Sequence, residues 1–326
     1  MNGRLYIDPW SPTYGSADAS GGSEPGATSS AELDVDVEMP AADWHPLAVA
    51  PGVETPPVVL FADGVRRIDA HLWWEAEDKA YPDAVLAASY AAGVVRCDLS
   101  RGGAELVARK VGRGLFTAAE EPPTLGEPPA CYVGYKAANG DPKVLENTMQ
   151  QRMHELEMEV AAHARDDNEQ LIIIDGPLKD HRQLPYALGY VKTHRSRYLP
   201  DRLSSVISGL HAGQRSPVFL VGTSWRRYSW YLRLPEPIGA GWSGIVRLEC
   251  PSDLDAGEAI ALAHLSAATL PRFASVPYKD PRAPHNLIPI AGLERRLRTM
   301  LGDSRLLHRA LMRSLSSVGS RSSVGS

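Results

Sequence analysis

Cysteine is scarce in this 326-residue chain: Cys97, Cys131 and Cys250 stand far apart and form no Cys-x-x-Cys pair. That spacing argues against a zinc ribbon and a disulfide framework, and leaves free thiols. Long apolar runs are missing as well. Leu171–Ile174 is typical of those present, against the ~20 consecutive apolar residues that cross a bilayer, so no spanning helix is expected. Met1–Asp8 lacks a basic stretch followed by an apolar one, so no secretory signal is read and a cytoplasmic location is expected. No GxxxxGK[ST] loop occurs and no GxGxxG joins a strand to a helix, which argues against nucleotide hydrolysis within the chain. A GxSxG elbow, an HExxH helix and any repeat of 20 to 50 residues are also absent.

Positive charge is in deficit: 34 Lys and Arg face 39 Asp and Glu, for a net charge of −5. Nucleic-acid binding usually leaves a basic footprint, yet the deficit is local. Residues 1–43 hold eight acids against Arg4 alone, a net −7 that leaves the remaining chain at about +2. That remainder carries basic clusters at Lys192 to Arg202, at Arg226-Arg227 and at Arg295 to Arg309.

The chain divides by composition. Residues 1–43, rich in Ser, Gly, Ala, Asp, Glu and Pro, offer little apolar area against ordering entropy and read as a disordered acidic leader. Residues 313–326, with a repeated Ser-Ser-Val-Gly-Ser, read as a flexible tail. The body, 44–312, is expected to be one domain. Pro57–Val65 is an apolar strand ending in Asp63-Gly64, with Arg66–Trp74 as a hairpin partner and Ala91–Asp98 and Leu106–Val111 as further strands. Leu145, Met149, Met153, Leu156 and Val160 form the stripe of an amphipathic helix over about 142–165. Leu171–Asp175 resumes as a buried strand that again ends in Asp-Gly. Strands follow at 188–192, 217–222, 227–233 and 244–250, with helices at 201–210, 256–270 and 286–301, the last closed by Gly302. The fold class is therefore α/β with a mixed sheet.

A carboxylate at the end of a buried strand occurs twice, at Asp63 and Asp175, each followed by glycine. Asp-Gly is a common turn dipeptide, but two such ends on neighbouring strands would bring carboxylates together, which a cation between them offsets. The intervening helix adds Glu155, Glu157 and Glu159, with Glu157 and Glu159 on the two flanks of the apolar stripe. Solvated surface positions are the alternative for these three. A third cluster, Val276 to Leu287, is a proline-rich loop carrying Tyr278, Lys279 and His285; such groups could orient a phosphate and a metal-bound water.

Taken in order, Phe61-Ala-Asp63-Gly, the Glu-bearing helix, Ile173-Ile-Asp175-Gly-Pro-Leu178, Gly189-Tyr-Val-Lys192 and the Tyr278-to-His285 segment resemble the NurA family of nucleases over about residues 57–310. The resemblance implies an RNase H-like mixed central sheet flanked by helices and a manganese-dependent acidic site. It also implies 5′ to 3′ exonuclease action on DNA, with endonuclease activity alongside. The family acts as a homodimer with the hexameric HerA ATPase in processing DNA ends. Asp63 matches the first-strand ligand and Asp175 the later one, while Glu157 or Glu159 stands for the helical glutamate. Tyr278 and His285 match the C-terminal tyrosine and histidine. The first strand reads Asp-Gly-Val where the family has Asp-Gly-Ser more often. Oxygen ligands suit Mn²⁺ or Mg²⁺, two ions in all, and a histidine tilts the choice toward Mn²⁺. On this reading His285 is a ligand or orients the attacking water, Lys192 holds a phosphate and Tyr278 positions the scissile strand. The alternatives are a non-catalytic adaptor docking on a ring ATPase, which should have lost a carboxylate, and an RNase H-like enzyme acting on RNA.

Overall fold

The structure is a computed structural model that describes residues 31–75, 80–165, 170–178, 184–193, 197–223, 225–235 and 242–322, with side chains to 316. It is a mixed α/β protein. Ten strands, β1 (Glu32–Asp34), β2 (Val58–Trp74), β3 (Asp83–Asp98), β4 (Ala104–Thr117), β5 (Val133–Lys136), β6 (Leu171–Asp175), β7 (Ala187–Val191), β8 (Phe219–Gly222), β9 (Arg226–Arg233) and β10 (Ile245–Pro251), are joined in the order β1-β8-β9-β10-β7-β6-β2-β3-β4-β5. The helices are α1 (Pro142–His163), α2 (Asp201–Ser208), α3 (Ala256–Thr269), α4 (Ile288–Met300) and α5 (Ser304–Ser322). No described helix is long and apolar enough to cross a membrane.

The body expected as one domain divides into two compact units. The first comprises Met1–Ala62, Val95–Glu105 and Arg165–Gly292. Its centre is parallel: β2 pairs with β6 from Val59–Leu171 to Ala62–Ile174, and β6 pairs with β7 from Ile172–Ala187 to Asp175–Tyr190. These are the fully apolar segments, as strands covered on both faces must be. Beyond β7 the pairing turns antiparallel through β10, β9, β8 and β1. The second unit, Asp63–Val94, Leu106–Ala164 and Leu293–Ser326, holds the far half of β2, the near half of β3, most of β4, β5, α1, most of α4 and α5. In it Val85, Ala87, Leu115, Leu125, Tyr132 and Leu311 form one apolar cluster.

Four expectations are corrected here. Residues 31–43 do not belong to a disordered leader. Leu33 pairs with Val221 across β1 and β8, and Glu38 accepts both outer nitrogens of the fully buried Arg215, at 2.8 and 2.7 Å, and the Val218 amide at 2.7 Å. Leu33, Val35 and Met39 pack against the cluster of Trp44, Phe219 and Tyr231, so the segment is ordered by long-range contacts that its composition does not reveal. The hairpin at Asp63-Gly64 is also absent: β2 runs unbroken for 17 residues, with Gly64 inside it. At the other end, the tail drawn from 313 is helical to Ser322 as part of α5, anchored through buried Leu307 and Leu311. The fourth is the division into two units already described. Strand β3 begins at Asp83, well before the expected Ala91, β4 runs on to Thr117 rather than Val111, and β5 had no counterpart among the expected strands; the other elements lie within a few residues of their expected places, and Gly302, at φ 83°, closes α4. Helix α1 ends at His163, within two residues of the expected end.

Candidate active site

In the second unit, Asp63 and Glu157 are buried, 8% and 5% exposed. The Gly64 amide donates to Asp63 Oδ1 at 2.8 Å, folding that carboxylate back on its own strand. A Cβ at Gly64 would overlap Glu157 Oε1, so the glycine marks close approach of a side chain to a strand, the usual meaning of glycine within one. Helix α1 is set by Asp141, whose side chain accepts the Lys143 amide at its N-terminus, and by the expected stripe, all of it buried. The stripe carries Glu157 inward with it. Glu159 is on the other flank, at the surface, where both its oxygens accept Lys110 Nζ at 2.6 and 2.8 Å and hold the carboxyl below its usual range. Glu155 pairs with Arg152, also exposed.

In the first unit, Asp175 ends β6. Gly176 turns the chain at φ 116°, a left-handed conformation that glycine alone adopts readily. Lys192 Nζ donates to Asp175 Oδ2 at 2.6 Å and to Asn286 Oδ1 at 2.9 Å, and the lysine and aspartate side chains are 3% and 10% exposed. Asn286 in turn donates to Asp280 Oδ2 at 2.8 Å, and Arg282 closes on the same carboxylate. Burial alone would raise the Asp280 carboxyl, but the bonds from Arg282 and Asn286 outweigh it and hold it low. The Tyr190 hydroxyl donates to the His285 carbonyl at 2.7 Å, and burial beside the Asp175 charge raises that phenol well above its usual range. Burial, and then the Lys192 charge, push the His285 imidazole down to about 4, so it is neutral at pH 7. Tyr278, by contrast, is 82% exposed.

One further buried group touches this region. Glu249, fully buried, accepts the Leu178 amide on Oε1 at 2.7 Å, and on Oε2 accepts Arg247 at 2.6 Å and Arg227 at 3.0 Å. Its Cγ passes behind Gly189, where an added Cβ would approach it at 2.8 Å. The Asp-Gly-Pro-Leu turn is thus pinned from behind by a neutralised carboxylate. Sequence reasoning named Asp63, Asp175, Glu157, Lys192 and His285 but missed Asp280, Asn286 and Glu249. The first two lay within the quoted loop, and Gly189 was the only signal for the third.

No family model matches the chain, and no curated protein matches it. Among solved structures, the chain is similar to the NurA nuclease of Sulfolobus solfataricus, with 12% identity, a TM-score of 0.45, and coverage of 86% of this chain and 88% of that one. It is also similar to endonuclease V of Bacillus subtilis, at 14% identity and a TM-score of 0.33 over 75% of this chain and 81% of that one. The catalytic domain of human endonuclease V gives 15% and 0.33, over 81% of this chain and 92% of that one. Likeness at this level carries no argument about function.

The donor set itself speaks to a metal. Among the described residues, no group of three or more His, Cys, Asp or Glu side chains is gathered as a ready-made cage. The chemistry of the donors nevertheless fits a hard divalent cation. Asp63 and Glu157 are buried oxygen donors, and Glu157 lies in a space at Gly64 that a methyl group would fill.

Proposed function

We propose that the chain is a metal-dependent nuclease acting on DNA, with Asp63, Asp175 and Glu157 as the metal-holding carboxylates. The observation that carries this reading is the pair of buried carboxylates in the second unit, Asp63 and Glu157, the latter packed against the residue that follows Asp63. Ala62 and Ile174 are the last partners of β2 and β6, and the next residue along each is an aspartate. Oxygen donors of this kind suit a hard divalent cation. Of the two glutamates left open by sequence, Glu157 is chosen because it is buried against the residue after Asp63, whereas Glu159 is occupied by Lys110 at the surface.

A divalent ion, when bound, supplies an activated water and neutralises phosphate charge. Mn²⁺ or Mg²⁺ suits the oxygen donors. The chain's own residues do the rest. Lys192 holds the Asp175 carboxylate in one orientation and is itself held by Asn286. His285, neutral at pH 7, can take or orient a proton of the attacking water. Tyr278, exposed on its loop, is available to contact the substrate strand. The sequence resemblance extends the reading to an RNase H-like fold, 5′ to 3′ exonuclease action, a homodimer and a HerA-type ATPase partner.

The test is cleavage of end-labelled linear DNA and RNA by purified protein, with Mn²⁺, with Mg²⁺ and with chelator, alone and with a HerA-type ATPase plus ATP. Metal-dependent DNA cleavage, lost in Asp63→Asn and in Asp175→Asn, is expected. Wild-type cleavage by either variant overturns the site assignment, and cleavage of RNA alone overturns the substrate.

A further inference from the structure

Helix α5 carries Arg305, Arg309 and Arg313 at successive intervals of four residues, all exposed. Residues three or four apart are neighbours on a helix, so the three guanidinium groups form one row; four residues rise about 6 Å, and the row spans about 12 Å. Ser304 to Ser316 contains no acid, and among the described residues none of the three arginines is in an ion pair, although the Asp303 charge interacts with Arg305 and Arg309. Asp303, just before the helix, is occupied in capping: its Oδ1 accepts the Arg305 and Leu306 amides at 2.8 and 3.0 Å. On α4, in the same unit, Arg295 and Arg296 are also exposed, while Arg298 is tied to Glu294. Like charges at this spacing destabilise a helix. A polyanion laid along the row reverses the sign of that interaction.

We propose that the exposed face of α5 is a docking surface for the phosphate backbone of a nucleic acid, outside the candidate active site. This rests on the nuclease reading and extends it to a substrate-holding surface. Charge complementarity selects the occupant. The row length matches about three to four nucleotide steps at 3.4 Å each. A lipid surface is disfavoured by the wheel: among the exposed apolar residues Leu306 lies on one side of the arginine row and Met312 and Leu315 on the other, so the row interrupts any apolar face offered for insertion. The helix spends its contiguous apolar side, Leu307 and Leu311, on its own core.

The experiment is fluorescence anisotropy of a labelled DNA duplex with the full chain in chelator, across a salt series, comparing wild type with Arg305→Gln/Arg309→Gln/Arg313→Gln. Each lost phosphate contact removes about 0.9 from the slope of log affinity against log salt. A slope shallower by roughly 2 to 3, with unchanged thermal unfolding, is the expected result. An unchanged slope in a protein that still cleaves DNA overturns the docking surface while leaving the nuclease reading intact. Stripe-dependent binding by a wild type that cleaves nothing supports the surface and overturns the nuclease reading. Arginine-dependent binding to phosphatidylserine vesicles with none to DNA overturns the surface in favour of a membrane.

Discussion

Asp63-Gly64 and Asp175-Gly176 are the same dipeptide at the end of the same kind of apolar run, and they fold differently. Gly176 sits in a left-handed turn with nothing within 4 Å of where a side chain would be. Gly64 stays inside a strand, and the space beside it is taken by a glutamate from α1. One glycine serves backbone conformation and the other serves close approach. The aspartates differ accordingly: Asp175 is neutralised by a buried lysine, whereas Asp63 stands next to a residue packed against another carboxylate.

The largest test of that contrast removes each charge. Asp175→Ala strands a buried ammonium and is expected to cost about 3 kcal/mol of stability along with all cleavage. Asp63→Ala is also expected to abolish cleavage, at the smaller cost of about 1 kcal/mol for the lost Gly64 amide bond to Oδ1. Equal losses on thermal unfolding would erase the distinction.

Acid comes next. His285 titrates near 4 in the folded protein against 6.5 when unfolded, so between those values the unfolded chain binds more protons and folding loses stability as pH falls. The full loss is about 3 kcal/mol. Unfolding in chelator from pH 7 to 4 should show this component, and His285→Gln should lack it.

The glycines themselves give smaller effects. Gly64→Ala is expected to cost about 1–3 kcal/mol by overpacking against Glu157, and that cost should vanish in a Glu157→Ala background, as a double-mutant cycle would show. Gly176→Ala is expected to cost about 1–2 kcal/mol through backbone strain alone, whatever the state of Glu157. Coupling of Glu157 to Gly176 rather than to Gly64 would contradict the roles assigned to the two glycines. Smallest of all, Glu159→Gln should move stability by less than about 0.5 kcal/mol and leave cleavage at the wild-type rate.

Much of this was legible before folding. The spacing from Leu145 to Val160 located α1 and its buried side, and the apolar run at 171–174 marked the central strand. The segments that misled share a cause. Glu38 lies in a stretch too polar to order by itself, and its partner Arg215 is 177 residues away. Asp63-Gly64 carries the local signature of a turn, and only the glutamate beside it explains a glycine within a strand. Helix α5 is hidden by a serine-rich end that becomes helical once Leu307 and Leu311 have a core to enter.

By itself the sequence determined the element types, the two strand-end aspartates and the uneven distribution of charge, because periodicity and composition act over a few residues. Tertiary structure decided which glutamate is buried, which glycine turns, and that Lys192, Asn286 and Asp280 form one chain of bonds. Those outcomes depend on residues far apart in sequence competing for the same few cubic ångströms, and burial settles such competition only after the strands have paired.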